Sequence, residues 1–249
     1  MLLQSEWLDR FIPTCARVRS ARRRTLAAGQ LVYSTFPDGR CWVVIAGYVK
    51  LLDPRADGTR FIRLILSRGG LFGDRPYGGR AFREFVSPQH EQAVAHGPAV
   101  VLELDRQEFE AASQAQAELA TLLLESATTR AQFLERRLLW QFTTPIRARV
   151  AATLRDLICF EGQRCRHGHT IDVRLRGPNK VEPRGLDSRG PGQFCQLPLS
   201  HQDLTELVGA ARPVVSAELV QMRREGLIEY TRCHFCVDDL AGLDRVAAG

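Results

Sequence analysis

The segment LSHQDLTELVGAARPVVSAELVQMRREGLIEY, Leu199 to Tyr230, constrains the fold more than any other part of the chain. It holds two short apolar-periodic stretches on either side of a glycine. Ser200 stands as an N-cap before HQDLTELV, and Leu204, Leu207 and Val208 share one face of the helix that follows. Gly209 supplies a tight turn. A second helix is then expected from about Arg212 to Arg224, burying Val215, Leu219 and Met222 at i, i+4 and i+7. Gly226 closes it, Leu227-Ile228-Glu229-Tyr230 begins a strand, and Arg232 to Val237 returns beside it. Two helices across a glycine turn, followed by a β-hairpin, make a winged helix-turn-helix. Periodicity alone leaves two readings open, a DNA reader and a pair of packed helices.

In a DNA reader, the N-terminal part of the second helix meets base edges in the major groove. With Val215 and Leu219 facing inward, Arg212, Pro213, Ser216 and Ala217 project outward. Arg212 is the one long donor among them, and arginine on guanine is the commonest specific contact. Ser200, Gln202 and Ser216 suit phosphate oxygens, and His201 on the first helix is expected on the phosphate side. A net charge of +6 favours an acidic partner, with nucleic acid first.

A length of 249 residues fits two domains. From Arg24 to about Phe109 the reading is β: LVYS, RCWVVIAGYVKLL, TRFIRLILS and AVVLELD are separated by glycine-containing turns, with a hairpin signal at Asp57-Gly58. Short strands at near-regular spacing suggest a barrel or jelly roll. From Arg106 to about Phe142 proline and glycine are absent. Leu119, Leu122, Leu123, Ala127, Arg130, Leu134, Arg137 and Leu138 recur at three- and four-residue steps, the pattern of one long amphipathic helix. Its stripe is longer than packing on a small barrel requires, so a parallel dimer is expected. Thr144 and Pro145 restart the helix as cap and first residue, to about Ile158. From Cys159 to Gln196 the chain is rich in glycine, proline and arginine, and only HTIDVRL resembles a strand. GPNKVEPRGLDSRGPGQ reads as a loop. The basic run ARVRSARRR, Ala16 to Arg24, reads as a solvated helix face rather than a second anionic contact.

No run approaches the ~20 apolar residues that span a bilayer, and the N-terminus lacks the pattern of a signal peptide. A cytoplasmic protein with its 7 cysteines as reduced thiols is expected, with no membrane partner.

Taken in order, LAAGQLVYSTF, WVVIAGYVKLL, DGTRFIRLILSRGGLFGD, the long helix, the Thr-Pro-started helix and the opening module resemble the Crp/Fnr family of bacterial transcription regulators. The resemblance runs from about Leu26 to Leu243, interrupted near residues 76–90 and 176–193. It implies an α+β fold with a cyclic-nucleotide-binding-like β-roll over 1–110, a dimerisation helix over 111–142 and a winged helix-turn-helix over 143–249. It further implies a homodimeric transcription regulator on near-palindromic double-stranded DNA, with RNA polymerase as a partner. The family's base-contacting arginine falls on Arg212. Pro213 stands where glutamate often follows, and Ala217 where a second polar reader stands. Fewer direct contacts imply more phosphate positioning and shape readout.

For the effector, the resemblance puts Phe72-Gly73-Asp74 in place of the family's FGE, and Gln89-His90 in place of its Arg-Ser pair. Gly73, Asp74, Gln89 and His90 are the pocket candidates. Without the guanidinium that grips a cyclic phosphate, cyclic AMP is not expected in the usual mode. The alternative sensor chemistry is metal. Cys233 and Cys236 have CxxC spacing, and Cys159, Cys165 and Cys195 share their domain, a set suited to zinc or an iron–sulfur cluster. The N-terminal cysteine group of the family's iron–sulfur members is missing, since only Cys15 precedes the barrel. Cys236 also fits as a small buried residue of a wing strand. No paired carboxylates, Ser-His-Asp order or phosphate loop points to an enzyme. The competing function is a protein-interaction module, in which a degenerate β-roll and winged helix dock a partner and read no DNA.

Overall fold

Period-two alternation of large apolar residues gives the N-terminal part its strands, and a switch to the helical period near Arg106 ends them. The computed structural model describes residues 3–34, 39–55, 58–73, 91–161, 163–164, 195–197, 199–230 and 235–249. For 3–9, 158–161, 163–164 and 195–197 it describes the backbone alone. The chain divides into two units, Met1–Thr144 with Thr205–Gly209, and Pro145–Leu204 with Ala210–Gly249.

The first unit opens with helix α1 (Leu3–Ala16). Eight strands follow: β1 (Arg22–Leu26), β2 (Leu31–Tyr33), β3 (Arg40–Ala46), β4 (Val49–Pro54), β5 (Arg60–Leu66), β6 (Leu71–Phe72), β7 (Gln92–Ala95) and β8 (Ala99–Asp105). They form two antiparallel sheets, ordered β1-β8-β3-β6 and β2-β7-β4-β5. Between the sheets, Tyr33 packs on Trp42 and Phe72, with ring centroids 5.4 and 6.3 Å apart. On the other face of the first sheet, Cys41, Val43, Leu71, Leu102 and Leu104 join Phe11, Cys15 and Val18, and the helices after β8 close over them. The hairpin expected at Asp57-Gly58 joins β4 to β5, and the Gly58 N–H donates to the Arg55 carbonyl at 3.0 Å. Asp57 itself lies outside the described residues.

Two local expectations are corrected. The run from Ala16 to Arg24 is not a helix face: α1 ends at Ala16, and Arg22 to Arg24 lie in β1, paired with β8. The single helix expected from Arg106 to Phe142 is two helices, α2 (Arg106–Ala115) and α3 (Ala117–Thr143), separated at Gln116 (φ −120°, ψ 101°). Packing explains the break. Phe109 and Leu119 are both buried in the same cluster, yet an unbroken helix would set residues ten apart roughly 80° out of line. One extended residue brings both onto the sheet, and Asp105 caps α2 through the Glu108 N–H at 3.0 Å.

The stripe expected on α3 also divides in two. Leu119, Leu122, Leu123, Phe133 and Arg137 are buried against the unit's own core, whereas Ala127 and Leu138 are exposed. Arg137 reaches the carbonyls of Arg63 at 2.5 Å and Ile62 at 3.4 Å. A second row, Ala117, Ala120, Leu124, Ala127, Ala131, Leu134 and Leu138, alternates steps of three and four along the outer side, and all but the half-buried Leu134 are exposed.

The second unit holds helix α4 (Ile146–Glu161), strands β9 (Gln163–Arg164) and β10 (Cys195–Leu197), and helix α5 (His201–Val208), which runs into the Thr205–Gly209 segment. Then come α6 (Arg212–Arg224), the hairpin β11 (Ile228–Tyr230) and β12 (Phe235–Val237), and α7 (Leu240–Ala248). The four strands form one antiparallel sheet, β11-β12-β10-β9. Pro145 accepts the Arg149 N–H at 2.9 Å, consistent with a helix starting at the proline. HTIDVRL and the loop after it lie outside the described residues. Among the described residues no helix is long and apolar enough to cross a membrane.

Candidate nucleic-acid interface

Helix α6 is fixed from behind and at its C-terminal end. Val215, Leu219 and Met222 on α6 are fully buried, as the spacing required. From α4, Arg147 pairs with Glu218 at 3.3 Å and with Glu225 near the far end of α6. Glu225 is held below the usual carboxylate range by the Gln221 hydrogen bond and, against the opposing effect of burial, by the hydrogen bond and charge of Arg147. Arg223 pairs with Glu229 at 3.0 Å and lies over the Tyr230 ring, tying the helix end to the wing. Gly209 makes the turn before α6 with φ +67°, where a side chain would be strained.

The first helix of the motif carries a reciprocal cap. Ser200 Oγ donates to Asp203 Oδ2 at 2.7 Å, the Asp203 N–H donates back to Ser200 Oγ at 3.1 Å, and the Ser200 N–H reaches the same carboxylate at 2.9 Å. The single hydroxyl proton of Ser200 is thus directed at Asp203, so a phosphate contact through it would require the cap to open. Gln202 is exposed. His201 is half-buried, its ring 4.8 Å from Tyr230 and 5.7 Å from Phe235. Burial, and then the positive charge of Arg212, lower its pKa below the usual histidine value.

Arg212 is the first residue of α6 and is exposed, as are Pro213 and Ala217, with Ser216 half-buried beside them. Val214 and Val220 are 39% and 41% exposed on the same helix. Sequence reasoning places Val214 with the groove-facing residues but misses Val220, although its helical spacing from Pro213 and Ala217 is visible there.

The sequence pattern of the Crp-like helix-turn-helix domain matches residues 148–246. This part of the chain is similar to the Crp-like helix-turn-helix domain. Solved structures extend the likeness to the whole fold. FixK2 from Bradyrhizobium japonicum superposes with a TM-score of 0.67 at 19% identity, covering 92% of this chain and 98% of that one. A CooA variant from Carboxydothermus hydrogenoformans gives 0.64 at 15% identity, covering 92% and 89%. TTHB099, a transcriptional regulator of the CRP family from Thermus thermophilus, gives 0.64 at 20%, covering 91% and 97%. No curated protein sequence matches. The fold is that of the Crp/Fnr transcription regulators: a β-roll, a long helix and the Crp-like domain.

In the roll, Asp74, Gln89 and His90 lie outside the described residues. Gly73 follows β6 with φ +70°, and a Cβ there would meet the Trp42 ring at 2.7 Å, so its need for glycine is already accounted for by packing. Glu91, the first described residue after Gln89 and His90, is buried. It accepts the Tyr33 hydroxyl and pairs with Arg63 at 2.8 Å, and Arg63 also holds Asp53 at 2.9 Å. Glu103 is lowered below its usual pKa: burial opposes ionisation, but hydrogen bonds from Arg24 and Trp42 and the charge of Arg40 outweigh it.

Of the cysteines in the Crp-like domain, Cys236 is buried on β12. Cys165 and Cys233 lie outside the described residues, as do the side chains of Cys159 and Cys195. Among the described residues no group of three or more metal-ligating side chains is assembled. Burial pushes the Cys15 thiol up to about 12, so it stays protonated in its core.

Proposed function

We propose that the protein is a dimeric, sequence-specific DNA-binding transcription regulator whose α6 helix enters the major groove. The observation that carries this reading is Arg212, an exposed guanidinium on the first turn of a helix buttressed by its buried face, by Arg147 and by the wing. Gln202 and Ser216 supply phosphate contacts around it. The outward row of α3, from Ala117 to Leu138, supports the dimer, because its alternating steps of three and four match a helix–helix seam. Two α6 helices then read the two halves of a near-palindromic site. RNA polymerase is the partner such a regulator would act on.

The roll, in this proposal, does not take a cyclic nucleotide in the usual way. A buried carboxylate, Glu91, already neutralised by Arg63, occupies the neighbourhood where a cyclic phosphate would need an unspent cation. The test of the DNA-binding reading is equilibrium titration of a duplex selected by the protein from a random library, beside a scrambled duplex, over a range of salt. The reading expects two protomers per selected duplex and tighter binding than to the scrambled one at every salt. Equal affinity for the two duplexes would overturn it and favour the interaction-module reading.

A further inference from the structure

We infer that the strip Pro213–Ala217–Val220 reads thymine through its 5-methyl group, so that the preferred site carries thymine beside the base pair taken by Arg212. The inference rests on the DNA-binding reading above and adds a base preference to it. At roughly 100° per residue, Pro213, Ala217, Val220 and Arg224 fall within about 60° of one another around α6. That places them opposite the buried Val215, Leu219 and Met222, in the middle of the outward face. All four are exposed. The centre of this outward face is therefore apolar, with exposed Val214 to one side, Arg212 about 100° around from Pro213 on the other, and Arg224 in line at its C-terminal end.

An apolar strip between cations has a specific complement. The major groove has anionic phosphate walls, and the thymine methyl is the apolar group that a base pair offers on its floor. An apolar protein partner would not call for guanidinium groups flanking the strip. Apolar side chains, alanine among them, make this methyl contact. Pro213 has no N–H to leave unpaired when the groove closes over it, and Ala217 has no polar group to desolvate.

The experiment replaces thymine by deoxyuridine, one position at a time, in a duplex that the full-length protein has selected from random DNA. This removes the methyl and leaves every hydrogen-bonding edge intact. Wild type is expected to lose about fourfold in affinity at a sensitive thymine in each half-site, the worth of roughly one buried methylene. Ala217→Gly and Val220→Ser, confirmed as folded by their circular dichroism, should each shrink that loss. If a site is selected but no deoxyuridine substitution weakens binding, this inference falls and the DNA-binding reading stands. If the loss persists undiminished in both variants, the methyl is read from elsewhere and the assignment to this strip is wrong. If no site is selected at all, the DNA-binding reading itself fails, and this one with it.

Discussion

Leu138→Asp should break the dimer without unfolding the protomer. Leu138 is 60% exposed on the outward row of α3, where Leu124 is 68% exposed, and Phe142 one turn further on is 82% exposed. Burying a whole leucine side chain is worth about 1.5–3 kcal/mol, so covering the exposed part of Leu138 is worth about 1–2 kcal/mol per protomer. In a two-fold interface the residue counts twice. The lost burial then comes to about 2–4 kcal/mol, or roughly 30- to 700-fold in the dimer dissociation constant, before the cost of setting carboxylates in an apolar seam. Sedimentation equilibrium across nanomolar to micromolar concentrations reads the shift, and thermal melting checks the fold. Leu123→Asp is the informative contrast. Leu123 is buried on the inward row, so its substitution should lower the melting temperature of the protomer itself. A Leu138→Asp protein that dimerises as tightly as wild type would refute the seam.

Other outcomes follow from the same geometry. Gly73→Ala should destabilise the first unit by at least ~1–2 kcal/mol in denaturant unfolding, because a β-carbon at φ +70° is strained and meets the Trp42 ring. His201 is held below its usual pKa, so the unfolded chain binds more protons there. Its contribution to stability is complete above the unfolded value of ~6.5 and is lost as pH falls through the folded value. Between pH 7.5 and 5.5 the melting temperature of wild type should therefore fall more steeply than that of His201→Phe, and parallel slopes would count against this. Calorimetry with cyclic AMP should show no saturable micromolar binding; if it does, the pairing of Glu91 with Arg63 does not close the roll to a cyclic phosphate.

The motif itself was legible in the sequence because its apolar spacing, its glycine turn and its cap are local signals. The helix bounds at Arg212 and Arg224, the buried triad of α6 and the N-cap at Ser200 all follow from such signals. What escaped depended on tertiary packing. The break at Gln116 has no glycine or proline to mark it, and comes from the need to seat Phe109 and Leu119 on one sheet. Periodicity merged the two rows of α3 because it reports apolar positions without saying which surface covers each. Strand β1 was hidden inside an arginine run whose pairing with β8 spans most of the unit. In the site, Ser200 looked like a phosphate donor because a lone serine has a spare proton, and only the geometry shows that proton directed at Asp203. His201 likewise read as a surface residue until the wing aromatics were in place.

The central claim is that Arg212 gives this protein its base preference, and site selection from random DNA by wild type and by Arg212→Ala tests it most directly. Wild type should return a two-fold symmetric site. The variant should lose discrimination at one base pair in each half, at a cost of about 1–3 kcal/mol per contact, while its remaining preferences persist. If both proteins return the same site with the same discrimination, Arg212 is not the reader and the account is contradicted.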